Sequence, residues 1–494
     1  MTLPAAGDAA GPTPPPDQRP TGTAQEPDAR KAAPPESAAR DWSAPGGTTD
    51  PGQFAMRKGS DLSGRIKALD AALPKQGVQN LLAQANRKVT TGAACATDPF
   101  GRGDRGAPLA PVRKFCWEPD DATSTEWIPQ AVSGVSDAQQ DEVWGTARPI
   151  LIGAYDTENP GRGNGCTAAE SDACNEKGIR VTFLDPATDK YRHVLLAWPY
   201  VNNPGNTSFD AVHASENPQQ NGIHAGGMVW YGNYLYVADT MNGVRVFDMR
   251  YIMDLNPDGD AATDDPTADG LKSNVRDKRQ VGRQNNVWYS YGYRYVMPQV
   301  ATWIFAEPQH NSHQVTTCQD RGAPKASYLS LDRSATPDQL LMGEYCRATS
   351  ALPSTGRVSA FPLNGDTGEI ASTGGVTDTA GWGNYLPEEG TQGVARYRDD
   401  FFVNQSRKYS NGSIFRAGLD ADKRLKVVGG EVPTAVGPED LYVEHGNATG
   451  APPLLWSVSE HSANIADASC APGSISPCGR VIYAHHLGDV LARP

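Results

Sequence analysis

Beyond Cys95 the apolar positions fall in short blocks rich in Val, Ile, Leu, Tyr, Trp and Phe, separated by polar, Gly-containing turns. This is strand patterning. One phrase recurs: an apolar strand ending in Asp, Glu or Gln, an excursion of variable length, then Gly and a second apolar strand. It occurs five times, as 148–156 with 178–183, 234–239 with 243–246, 339–344 with 356–361, 400–405 with 412–415, and 454–460 with 479–483. Candidate first strands precede most units, at 224–229, 325–331, 392–397 and 439–445. Fourth strands follow at 191–198 and 425–428. Four antiparallel strands repeated five times predict an all-β fold, a β-propeller of five blades. The last unit has no evident fourth strand, and residues near 112–117 can supply one from upstream. A sixth blade within 271–323 stays open, and a two-sheet sandwich is the rival architecture.

The clearest unit runs over 222–250. Its phrases GNYLYVAD (232–239) and GVRVFD (Gly243–Asp248) resemble the propeller repeats of the LVIVD type. The resemblance covers this blade well and the others loosely. It implies the fold and carries no reaction with it.

The N-terminal part is patterned differently. Residues 1–55 are crowded with Pro, Ala, Gly and Asp and poor in large apolar side chains, which predicts a disordered linker. Over 56–94 the spacing turns helical. Leu62, Ile66, Leu69 and Leu73 lead to Pro74, and Val78, Leu81 and Leu82 resume the pattern. The propeller is expected over 95–494.

Composition narrows the partners. The 494 residues carry a formal charge of −13 without a basic stripe, so nothing offers nucleic acid an electrostatic footprint. No apolar run is long enough to span a membrane. Residues 1–7 lack a signal-peptide pattern, which leaves a cytosolic protein or a mature form whose signal has been removed. The eight cysteines favour the second reading. Cys95, Cys116, Cys166, Cys174, Cys318, Cys346, Cys470 and Cys478 fall into four neighbouring pairs with no metal-ligand spacing. Four disulfides and an oxidising, extracellular compartment are expected.

In a propeller the start of each first strand and the end of each second strand lie on one face. That gathers Asp156, Asp239, Glu344, Gln405 and Glu460 on a rim, with His224, Gln392, Glu439 and Asp440 nearer the axis. His224, Asp239, Glu344 and Glu439 are the candidate catalytic groups, by general acid–base chemistry. Asp156, Gln392, Gln405 and Glu460, with Tyr293 and Arg294 from the tyrosine-rich stretch 288–295, are the candidate substrate contacts. Gly226 and Gly227 beside His224 imply the close approach of a backbone or a ligand. His310 and His313 form a pair too small for a metal site. Aromatic, Arg and carboxylate side chains together suit an extracellular carbohydrate, cleaved by a glycoside hydrolase or a polysaccharide lyase. A non-catalytic lectin-like or partner-binding propeller and a calcium-dependent lactonase or esterase are the alternatives. The oligomeric state is not legible.

The sharpest local motif is Asp254, Asn256, Asp258, Gly259, Asp260 and Asp265. Oxygen donors at positions one, three and five, with Gly at six, match a calcium loop, although position twelve is Asp rather than Glu. Its expected role is structural. Chelation should therefore lower the melting temperature, and Asp258→Ala should abolish that response. A melting curve unchanged by excess chelator would reduce the motif to an acidic turn.

Overall fold

The computed structural model describes residues 45–157, 176–212, 223–257, 271–312, 315–465 and 467–493. Its regular structure is mostly β. Five antiparallel runs of four strands follow one another; the first two are joined into one sheet by the parallel pairing of 296–298 with 195–197, and the last carries Thr90–Thr91 as a further strand. The first consists of Trp127–Gly134, Ile150–Asp156, Ile179–Asp185 and Lys190–Val201. The second is Met228–Tyr231, Tyr234–Asp239, Gly243–Asp248 and the long strand Tyr295–Phe305. The third is Tyr328–Asp332, Gln339–Gly343, Arg357–Pro362 and Gly383–Tyr385. The fourth is Thr391–Tyr397, Asp400–Arg407, Ser410–Leu419 and Leu425–Val436. The fifth is Tyr442–Glu444, Leu454–Val458 and Val481–His486, and its fourth strand, Arg113–Cys116, comes from far upstream. The stretch 271–323 is divided: 273–290 contains a small three-stranded sheet, and Tyr295–Phe305 joins the second unit.

The first strands of the five units touch in cyclic order, from the first to the fifth and back to the first. Separate apolar clusters lie between successive units. Alternation on single strands explains them: Leu235 and Val237 face the first unit, while Tyr236 and Ala238 face the third. Val394 and Val403 join the third unit to the fourth, and Ala395 and Phe402 join the fourth to the fifth. Val132, Ile150 and Ile152 meet Tyr442, Trp456 and Ile482 between the fifth and the first. Burial on both faces is why these strands read as nearly continuous apolar runs. Each fully buried large side chain contributes on the order of 2 kcal/mol.

At the N-terminus, helices α1 (Ser63–Ala72) and α2 (Val78–Ala83) fall inside the predicted helical region. Leu69 and Leu73 pack with Phe209 and Trp288, and Leu81 packs beneath the first two units. Residues 45–55, expected to belong to a disordered linker, are part of the folded structure. Phe54 and Met56 are fully buried, and Met56–Lys58 pairs with the strand Tyr295–Phe305. Phe54 was outweighed in the sequence by the Pro- and Gly-rich residues around it, and Met56 opens a strand where a helical segment was expected. Disulfides join Cys95 to Cys116, Cys318 to Cys346 and Cys470 to Cys478, while Cys166 and Cys174 lie outside the described residues.

Gly226 and Gly227 record a backbone approach. A Cβ on Gly227 would stand 2.0 Å from the Leu329 nitrogen and 2.6 Å from the Tyr328 carbonyl carbon. Those neighbours are main chain in the adjoining unit and have no rotamer with which to yield. Gly227→Ala should cost about 3 kcal/mol in urea unfolding. A loss below about 0.5 kcal/mol would mean that the two units do not approach as described.

Candidate functional site

Glu439 and Glu460 are brought together by the fifth unit. A bridge between Pro438 and Ser459, with Glu439 N–H donating to the Val458 carbonyl at 2.9 Å, sets the two glutamates side by side. Glu439 is 1% exposed and hydrogen-bonds the Glu460 carboxylate. Burial pushes the Glu439 carboxyl well above its ordinary range, the Glu460 and Asp440 charges add to this, and the hydrogen bond from Gln392 opposes it. This environment favours the neutral form of Glu439.

Other units frame this pair. Gln392 Nε2 donates to Glu439 Oε1 at 3.0 Å from the fourth unit. Gln130 Nε2 donates to Glu460 Oε2 at 3.0 Å from the first. His461 Nε2 stands 3.3 Å from Glu460 Oε1. Tyr155, at the end of the second strand of the first unit, stacks on His224 with centroids 4.5 Å apart and planes 13° from parallel. Burial raises the Tyr155 phenol, and the nearby carboxyls of Glu460 and Glu439 add to this. Arg480 donates to the carbonyls of Glu460, Asp121 and Ser124. Burial brings its pKa down to about 10, and it remains a cation beside the pair.

Asp440, next to Glu439 in the chain, is fully buried. Its Oδ2 accepts from Val132 N–H at 3.2 Å and Met228 N–H at 3.3 Å, which links the first strands of the first two units to the fifth.

The remaining candidates are distributed around these groups. Asp239 accepts from Arg245 Nε at 2.8 Å and Asn242 at 2.9 Å. Glu344 is fully buried, accepting from Arg357 Nε at 2.8 Å and from the backbone of Lys325. Asp156 accepts from Lys177 N–H at 2.6 Å. Gln405 donates to the Glu389 carbonyl at 2.8 Å. These side chains secure loops at the strand ends. Tyr293 Oη accepts from Arg180 at 3.4 Å and packs on Trp127, whereas Arg294 is engaged by both oxygens of Asp254 at 2.7 Å. The two neighbours therefore serve different places rather than one stacking platform. Asp254 also accepts from the Asn256 backbone. Asp258, Asp260, Asp265 and His313 lie outside the described residues.

Gln130, Tyr155, His461 and Arg480 were not singled out from the sequence. One signal for Arg480 existed. Arg180, Arg245, Arg357 and Arg480 each stand one or two places after the Gly that opens a third strand. Arg245 and Arg357 neutralise the strand-end acid of their own unit, whereas Arg480 spends its donors on carbonyls and leaves the Glu460 carboxylate facing Glu439.

No family model matches the chain, and no curated protein matches it. Solved structures with some likeness include the GH43_1 enzyme of Xanthomonas citri complexed with xylose. It has 9% identity and a TM-score of 0.29 over 74% of this chain and 88% of that one. A second, from Bacteroides fragilis, is provisionally described as a 6-phosphogluconolactonase. It has 11% identity and a TM-score of 0.22 over 58% of this chain and 87% of that one. Likeness at these scores carries no argument about activity.

The raised Glu439 carboxyl has a measurable consequence. Its folded pKa lies above the unfolded value, so its contribution to stability is complete at low pH and is lost as pH rises through the folded pKa. Glu439→Gln removes that titration. The stability of the variant relative to the parent should rise by up to about 1.4 kcal/mol per pH unit above about pH 5. A pH-independent difference between the two, measured by denaturant unfolding from pH 5 to 8, would exclude a buried protonated Glu439.

Proposed function

We propose that the chain is an extracellular five-bladed β-propeller that takes a carbohydrate at one mouth of its channel and cleaves it hydrolytically. The cyclic contact of the first strands, and the completion of the fifth unit by Arg113–Cys116, support the closed five-bladed reading. Three disulfides support an oxidising compartment.

The hydrogen-bonded Glu439–Glu460 pair carries the catalytic reading. Two carboxyls sharing a proton supply an acid and a base at one point. Glu460 takes a proton from water as the water oxygen bonds to the electrophilic carbon. Glu439 gives its proton to the departing oxygen as the carbon–oxygen bond breaks. Return of the proton from Glu460 to Glu439 restores the pair. Gln130, Gln392 and the Tyr155–His224 stack supply the amide donors and flat aromatic surface that sugar rings use.

The spacing of the pair favours one second reading. Glycosidase carboxyls stand about 5–5.5 Å apart in retaining enzymes and about 6.5–9.5 Å apart in inverting ones. Carboxyls in direct contact are closer than either, which suits water addition to the carbonyl of a sugar lactone or ester. A glycoside would have to part the two as it enters.

Turnover should be screened on polysaccharides, aryl glycosides, sugar lactones and sugar esters. On whichever class reacts, Glu460→Gln and Glu439→Gln should each reduce kcat by about 10²–10⁴-fold with the fold retained. His224→Ala should reduce turnover through loss of the stacked wall. Saccharide binding without turnover across all four classes would leave a lectin-like propeller in place of an enzyme.

A further inference from the structure

Next to the glutamate pair the surface opens into a cavity of about 710 Å³ whose charge runs against that of the molecule. The chain carries a formal −13, yet this cavity is lined by Arg347, Arg407 and Lys408 with one carboxylate, Glu389. Thr316, Tyr345 and Gln405 complete the polar wall.

The cations are held in place from behind. Arg347 donates through Nε to Tyr345 Oη at 3.1 Å and through Nη2 to the Ser406 carbonyl at 2.8 Å. Arg407 reaches Glu431 at 2.6 Å, a carboxylate that also receives Arg105 at 3.0 Å, so one acid serves two guanidinium groups. Burial favours protonation of Glu431, but hydrogen bonds from Ser413, Arg105 and Arg407 outweigh it and hold the pKa down to about 2. Lys408 is exposed on the turn between Asp400–Arg407 and Ser410–Leu419, its ammonium 5.0 Å from the Tyr409 ring centre. Glu389 accepts from Ala348 N–H at 2.7 Å, and Glu388 nearby is raised by burial. Among the described residues no carboxylate lies within 4.0 Å of the charged nitrogens of Arg347 or Lys408.

Two continuous connections lead from this cavity to the glutamates. Gln405 pairs across the sheet with Thr391, whose neighbour Gln392 donates to Glu439. The Lys408 carbonyl accepts from His461 Nε2 at 3.0 Å, and His461 stands against Glu460. An oligosaccharide lying along these connections would reach both the cations and the pair.

We propose that the cavity is an anion subsite and that the carbohydrate taken by this protein is acidic, bearing a carboxylate or sulfate that Arg347, Arg407 and Lys408 bind. This rests on the reading of the channel mouth as a carbohydrate site. Planar guanidinium groups match both anions, and an ammonium on a flexible stem adds charge without fixed geometry. A compact trio in a cavity, rather than a stripe, fits a single anionic substituent and not a nucleic-acid backbone.

The test uses the full, disulfide-intact chain carrying Glu460→Gln, so that ligands are bound rather than consumed. Calorimetric titrations compare an oligouronate, a sulfated oligosaccharide and a neutral oligosaccharide of equal length. One acidic probe should bind at least about tenfold more tightly than the neutral one, a difference of about 1.4 kcal/mol. Which probe wins identifies the anion. The advantage should shrink between about 50 and about 500 mM salt. It should collapse in Lys408→Ala and in the double variant Arg347→Gln/Lys408→Ala, and persist in Lys408→Arg, with melting curves checking the fold of each. Equal affinity for acidic and neutral probes, or an acidic preference indifferent to Lys408 and Arg347, overturns the subsite. Turnover is scored separately with the parent protein. Acidic binding that depends on Lys408, without turnover, removes the hydrolase and leaves the subsite. Turnover with no acidic preference does the reverse.

Discussion

The structure depends on the pairing of Val481–His486 with Arg113–Cys116, which places the last strand of the chain beside one of the first strands of the domain. The fifth unit would otherwise end at an open strand edge, with unpaired backbone donors and acceptors. The Cys95–Cys116 disulfide secures the incoming strand to the segment before it. Because this pairing holds the fifth unit against the first, Val132 and Ile152 can bury themselves against Tyr442 and Trp456. Gln130 can reach Glu460 for the same reason.

The same constraint explains the location of the unusual chemistry. At the strand ends of the second and third units, an arginine of the following strand neutralises the acid, and the ion pair is sealed. Such pairs are expensive to break and have little left to offer a ligand. In the fifth unit the corresponding arginine turns to backbone carbonyls, and the glutamate finds a second glutamate instead. The fifth unit thus sets two acids side by side where the second and third each seat an ion pair. A carboxyl raised by burial in this way costs stability at neutral pH.

The proposed acidic ligand also fits the electrostatics of the surface. A molecule of net negative charge repels a polyanion over most of its face, so a cavity holding three cations gives such a ligand one place to settle. Its position beside Gln405 and His461 would align a polymer with the glutamate pair rather than merely retain it.

Much of this was legible in the chain. Strand length and the recurring acid-then-glycine phrase are local, periodic properties, and they marked most of the strands and the upstream segment that pairs with the last one. The glycines before the second unit correctly implied a close approach, and the structure shows it to be one of backbone on backbone. The first strand of the first unit escaped notice because Pro129 interrupts its pattern, which an innermost strand paired on one side tolerates. The sequence placed Glu439, Glu460, Gln392 and His224 on one face because that follows from strand register. It could not separate Glu460 from Asp239 and Glu344, which look alike in the repeat. The difference lies in where an arginine several residues away sends its hydrogen bonds, and in which glutamate of the neighbouring strand stands opposite. Those contacts join residues far apart in the chain, and only tertiary packing decides them.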